Sequence, residues 1–170
     1  GGLNWANLDA GDHVPNRAVT DLAFDPTNAS ILYVTLSGFN EGTPTQPGHV
    51  FRTENALDPI PAWANITTPV NIPHNTIVAD PFVPDVAYVG TDLGVWKRTG
   101  VGDWIHLGPE VGMPNVAVFE LQLSAATNRL VAFTHGRGAF VLERQVTMTR
   151  GKDSRTRARI QKLIDEAQKL

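Results

Sequence analysis

Val86 to Leu107 reads VAYVGTDLGVWKRTGVGDWIHL. Val86 to Gly90 is apolar, β-branched or aromatic; Gly94-Val-Trp96 opens a second such run; Asp103 to Leu107 is a third. β-Branched and aromatic side chains pack well on a pleated, half-buried surface, and glycine reaches the backbone angles of tight turns. The stretch therefore predicts three short strands joined by turns. The same phrase recurs upstream and downstream, which makes the chain an array of repeats.

Three tryptophans head matching phrases: Trp5-Ala-Asn-Leu8, Trp63-Ala-Asn-Ile66 and Trp104-Ile-His-Leu107. Ten residues after each stands a proline, at Pro15, Pro73 and Pro114. Strand-like segments follow at Ala18 to Asp25, Thr76 to Asp80 and Ala117 to Leu123, then at Ile31 to Thr35, Val86 to Thr91 and Leu130 to Thr134. A glycine-led aromatic strand comes next: Gly48-His-Val-Phe51, Gly94-Val-Trp96 and Gly138-Ala-Phe140. Units of 58 and 41 residues, from Trp5 to Trp63 and from Trp63 to Trp104, match one four-stranded propeller blade, the longer carrying an insertion from Gly38 to Pro47. A β-sandwich also has short strands and regular turns. The fixed Trp-to-Pro spacing in three copies favours radial repetition.

The chain of 170 residues is long enough for a sizeable core. It has no cysteine, hence no disulfide framework or thiolate chemistry. No apolar run approaches the roughly 18 residues of a membrane span, and no signal peptide opens the sequence. From Thr149 to Leu170 seven basic residues face three acids, a surplus of +4, while the remaining seven basic and fourteen acidic residues leave the body at −7. An acidic body speaks against nucleic acid as the ligand. The basic tail suits an acidic surface, including another copy of the body.

Gly1-Gly-Leu-Asn-Trp5 resembles the second half of an Asp box, the Ser-x-Asp-x-Gly-x-Thr-Trp hairpin of sialidase-type (BNR) β-propellers. Val86 to Glu143 resembles the final blades of propellers found in sortilin-type (VPS10) and xyloglucanase-like proteins, most specifically in Thr134-His-Gly-Arg-Gly138 followed by Ala-Phe-Val-Leu. The resemblance implies a β-propeller and an extracellular or periplasmic setting. It leaves activity open, because this repeat serves hydrolases, receptors and assembly factors alike. Arg98 to Trp104 keeps Gly102 and Trp104 but lacks the box Ser and Asp, and Thr53 to Trp63 holds no box.

The expected fold is all-β: a partial β-propeller with a C-terminal amphipathic helix. Residues 1–148 hold the blades, with strands near 3–8, 18–66, 76–107 and 117–143, and residues 149–170 form a basic linker and helix. Residues 3–8 read as an orphan outer strand, followed by two complete blades and a last blade without its outer strand. Propellers have at least four blades. The expectation is therefore the C-terminal part of a longer propeller, or copies that assemble to close a ring. In the tail, Ile160, Leu163, Ile164, Ala167 and Leu170 fall on one helical stripe behind a Ser154 N-cap.

In a propeller the loops from fourth to first strands and from second to third strands share one face. That face would collect His13, Asn16, Arg17, Phe39, His74, Asn75, Asp92, Asn115, His135 and Arg137. Arg137 is a donor fork for a carboxylate or for sugar hydroxyls, and Arg17 joins the ligand-binding candidates on the same face; the plainer reading of His135-Gly-Arg137 is a turn whose arginine pairs with a neighbouring blade. Phe39, on the long insertion, is a candidate for stacking on a sugar or a partner. His74, Asn115 and His135 complete the expected ligand-binding set. The histidines lack close metal-ligand spacing, so no metal is expected, and no cofactor motif is present. Asp92 is the best candidate for a glycosidase acid or base, with Asp12 and Glu41 weaker and the required second carboxylate outside this chain; otherwise it is a strand-ending turn residue. The expected function is a binding module for a glycan or protein ligand, with a xyloglucanase-like glycoside hydrolase as the alternative.

Overall fold

The structure is a computed structural model and describes residues 4–144. Within that span the chain forms three antiparallel sheets. The first contains β1 (Val19–Asp25), β2 (Asn28–Leu36), β3 (Val50–Thr53) and β4 (Ala64–Asn65) in that spatial order. The second contains β5 (His74–Ala79), β6 (Val86–Thr91), β7 (Gly94–Thr99) and β8 (Ile105–Leu107), again in sequence order. The third is a meander of β9 (Val118–Ser124), β10 (Arg129–Thr134) and β11 (Gly138–Glu143). Short 3₁₀ turns occupy Asn40–Gly42 and Pro109–Val111.

The three sheets stack face to face in a row, with the second between the first and the third. Ile31, Tyr33 and Val50 of the first sheet meet Ile77, Ala87 and Val89 of the second. Val86, Tyr88 and Val95 on the other face of the second meet Val118, Leu121, Leu130 and Ala132 of the third. The second sheet thus buries both faces, and β6 is buried at all six positions. A run without polar alternation is what a strand between two apolar layers requires. The inner strands β1, β5 and β9 follow one another, with Asp21 Oδ2 accepting from Thr76 Oγ1 and the Ile77 amide at 2.9 Å each. Gly90 leaves room for this approach: a Cβ there would lie 2.7 Å from Thr76 Cγ2 and 2.8 Å from Val118 Cγ1. This is the blade stacking of a partial β-propeller.

The outer strand expected near residues 3–8 does not form among the described residues. Asn4–Leu8 belong to no sheet, and Trp5 is fully exposed. A strand is held by a ladder partner, and β3 and β7, which hold the equivalent strands β4 and β8, are already paired on both sides. Leu8 nevertheless keeps its place in the repeat. Its carbonyl accepts the Trp63 indole N–H at 3.1 Å, as the Ile66 carbonyl accepts that of Trp104. The expected helix over residues 154–170 lies outside the described residues.

Candidate functional site

Each inner strand is bulged at its second residue. Thr20, Asn75 and Phe119 are the extra residues, skipped in the pairing with β2, β6 and β10. A bulge turns a side chain away from the ladder. In the first two blades the turned side chain tethers the next blade: Thr20 Oγ1 donates to the His74 carbonyl at 2.6 Å, and Asn75 Nδ2 to the Val118 carbonyl at 3.2 Å. Asn75 Nδ2 also reaches Asp92 Oδ1 at 3.0 Å. Asp92 is therefore half-buried beside an inter-blade tether at the end of β6.

In the third blade the same positions hold Phe119 and His135. Their rings meet at 5.4 Å with a 52° tilt, and both residues are exposed. Arg137 follows in the same turn, and Asn115 precedes β9; both are exposed. The loop face thus carries an aromatic pair, a guanidinium and an amide where the other blades carry inter-blade tethers. Phe119 was not legible as a site residue without the bulge. The available signal was its place in the repeat, where the series Thr20, Asn75, Phe119 changes from polar to aromatic.

The second group surrounds the insertion. Asn40 ties the loop at both ends: its amide donates to Asn71 Oδ1 and its side-chain Oδ1 accepts from the Gly48 amide, each at 2.8 Å. Asn71 Nδ2 reaches the Glu41 carboxylate at 3.1 and 3.2 Å, and Gln46 Nε2 donates to the Asp12 carbonyl at 2.9 Å. The Glu41 carboxyl is held below its usual range by its own backbone amide and by Asn71. On this fastened loop Phe39 stands half-exposed.

Arg17 and His74 lie beneath the insertion and support it. Arg17 Nη2 donates to the Gly48 carbonyl, and Nη1 faces His49 Nδ1 at 3.5 Å. Desolvation pulls the guanidinium down from its ordinary value. His49 and His74 are both fully buried and stack at 4.9 Å with a 10° interplanar angle. Their partners fix the tautomers. His74 Nδ1–H donates to the Ile72 carbonyl at 2.7 Å, leaving Nε2 to accept from Thr68 Oγ1 at 2.8 Å. His49 Nε2–H donates to Asn71 Oδ1 at 3.1 Å, leaving Nδ1 toward Arg17. Burial pushes His74 down to about 3 and lowers His49 as well, so both rings are neutral. With both ring nitrogens engaged and no exposed surface, His74 supports the loops and offers a ligand nothing. Arg17 is likewise turned to the backbone of its own blade.

The expected site residues therefore divide. Phe39 sits on the first blade, Asn115, His135 and Arg137 on the side of the third, and Arg17, His74 and Asp92 in the framework. The loop histidines do not converge, since His74 is buried against His49 while His13 and His135 are exposed in different blades. Among the described residues no group of three or more His, Cys, Asp or Glu is placed to hold a metal ion, and no helix is long and apolar enough to cross a membrane.

The sheets and their loop face define the class as a β-propeller piece. The crystal structure of an ancestral GH74 enzyme superposes on the chain with a TM-score of 0.51 at 22% sequence identity, covering 69% of this chain and 16% of that one. The chain thus spans about one sixth of that neighbour's length, and at this identity the likeness is one of fold. No protein-family model matches the chain, and no curated protein matches it.

Proposed function

We propose that this chain is part of a sialidase/VPS10-like β-propeller, its C-terminal part, acting as a non-catalytic binding module for a glycan or protein ligand through the loop face. Phe39 carries the reading: an aromatic ring kept half-exposed on an insertion fastened by Asn40, Asn71 and Gln46. A rigid aromatic loses little conformational freedom on binding and offers a large apolar surface beside polar edges. Phe119, His135 and Arg137 supply a second contact set on the third blade, with Asn115 at its margin. An extracellular or periplasmic setting follows from the same family resemblance. Glycan-array binding, followed by calorimetry on any hit, tests the proposal. Phe39→Ala should weaken binding at least tenfold with an unchanged far-UV spectrum, whereas unaltered affinity in both Phe39→Ala and His135→Ala removes the loop face from recognition.

The alternative is a glycoside hydrolase with Asp92 as acid or base and its partner carboxylate elsewhere. Its support is a fold shared with an enzyme of the GH74 family. The full-length protein should then hydrolyse β-glucans and lose that activity in Asp92→Asn.

A further inference from the structure

The first two sheets carry the same cross-strand pair, Tyr33 opposite Arg52 and Tyr88 opposite Lys97. In the first sheet the cation is neutralised. Arg52 Nη1 pairs with Glu54, and Nη2 reaches Asp85 Oδ1 at 2.5 Å. Its Nε donates to the Tyr33 hydroxyl at 3.4 Å, and its Cζ lies 5.7 Å from the centre of the Tyr33 ring. One blade onward both carboxylates are gone. Thr99 stands two residues after Lys97, as Glu54 stands two residues after Arg52. Asn128 takes the place of Asp85: Asp85 immediately precedes β6 with a φ of 56°, and Asn128 immediately precedes β10 with a φ of 53°. Their carbonyls also accept equivalent amides, those of Gly100 just past β7 and Arg144 just past β11.

In place of the acids stands a second cation. Lys97 Nζ lies 5.8 Å and Arg144 Cζ 5.4 Å from the centre of the Tyr88 ring. Arg144 Nε donates to the Tyr88 hydroxyl at 3.0 Å, and Nη2 pairs with Asp80. The Arg144 side chain is only 10% exposed, yet its buried Nη1 has no partner among the described residues. Lys97 forms no ion pair among them either. The nearby acids are engaged elsewhere. Asp80 accepts the Phe82 and Val83 amides besides Arg144, and Glu143 pairs with Arg129 at 2.7 Å. Lys97, Thr99 and Arg144, with Tyr88 and Leu142, line a cleft of about 370 Å³ between the second and third sheets. It opens where β7 and β11 end, away from the loop face. Its volume falls within the roughly 300–1,000 Å³ of small-ligand sites.

We infer that this cleft is a binding site for a small carboxylate ligand, taken up by Arg144 Nη1 and Lys97 Nζ with Thr99 in the lining. A buried N–H without an acceptor is costly, and a buried charge requires a counter-charge. A ligand carboxylate supplies both through charge-assisted hydrogen bonds. The charge balance selects a single negative charge. Lys97, Arg129 and Arg144 against Asp80 and Glu143 leave one positive charge, which one carboxylate cancels and a doubly charged anion overshoots. At Arg52 the chain itself provides the carboxylates, through Glu54 and Asp85. The site stands apart from Phe39 and from the Phe119–His135 pair, and it holds whether or not the loop face binds a ligand.

Calorimetry on the full-length protein at pH 7 with sodium glucuronate, at constant ionic strength, should give saturable binding that glucose does not reproduce. Lys97→Gln should weaken it about tenfold, the loss of one charge-assisted bond. Thr99→Glu, which restores the acid of the first blade, should abolish it. Both variants leave the pair of Arg144 with Asp80 intact, and Thr99 is exposed, so the fold is kept. Absence of saturable glucuronate binding overturns the inference. So does equal binding of glucose, tighter binding of sulfate, or unaltered glucuronate affinity in either variant.

Discussion

The indole N–H of Trp63 meets the carbonyl of Leu8 at 3.1 Å, and Leu8 stands three residues after Trp5 as Ile66 stands three residues after Trp63. Each tryptophan thus bolts its blade to the outer segment of the one before. Trp104 is almost wholly buried in this role. Truncating a buried aromatic to alanine costs about 3–5 kcal/mol, and Trp104→Ala should lose that much in urea unfolding. Trp63→Phe keeps the ring but leaves the Leu8 carbonyl without its donor, which should cost about 1 kcal/mol.

The stacked histidines set a pH dependence with a definite sign. Burial holds His74 near 3, against about 6.5 in an unfolded chain, and His49 is lowered for the same first reason. Arg17 beside the pair acts in the same direction, whereas Glu41 raises His49 through its charge. Below pH 6.5 the unfolded chain takes up protons that the folded chain refuses. Stability is therefore full above pH 6.5 and falls as the pH drops toward 3, with a limiting slope of about 1.4 kcal/mol per pH unit for each such group. Urea midpoints at pH 7.5, 6 and 5 should show the fall, and His74→Gln should flatten it. Equal midpoints across that range in the wild type would contradict buried neutral rings.

Asp80 joins the second and third blades. Its carboxylate is fully buried, accepts the Phe82 and Val83 amides at 2.9 and 3.2 Å, and pairs with Arg144, whose Nε reaches the Tyr88 hydroxyl at 3.0 Å. Removing one partner of a buried ion pair leaves the other charge uncompensated, at about 3–5 kcal/mol. Arg144→Ala should lose stability on that scale by calorimetry. Arg129→Ala, from the exposed pair with Glu143, should lose under about 1 kcal/mol.

The insertion depends on Asn71 more than on its own residues. Asn71 holds the Asn40 amide, the Glu41 carboxylate and His49. Asn71→Ala should loosen residues 38–47 first, with faster limited proteolysis there and weaker ligand binding by Phe39, while the sheets keep their far-UV signal. Cleavage at the wild-type rate would show that Asn40 and Gln46 hold the loop without it.

Gly90 reports on how closely the inner strands approach. A Cβ there would collide with Thr76 and Val118, so Gly90→Ala should cost about 1–3 kcal/mol. A neutral thermal midpoint would mean that the strands separate freely.

The sequence by itself determined the blades. The Trp-to-Pro spacing and the glycine-led strands located all eleven strands of the three sheets to within a few residues, because local propensity and turn chemistry decide where a strand starts and stops. The outer strand expected at residues 3–8 is absent among the described residues 4–8 for a physical reason: the phrase reads as a strand, yet a strand exists only where a neighbour supplies its ladder. The loop face was legible as a face, since alternate strand ends must share one side. Which residues it presents was decided only by tertiary structure. Bulges at Thr20, Asn75 and Phe119 turned two of these side chains into tethers and one into an exposed ring. His49, unremarked in the sequence, drew His74 into a dry stack and took Arg17 with it. Those contacts join residues of different strands and blades, so their geometry follows from strand register and blade packing, which short-range pattern does not encode.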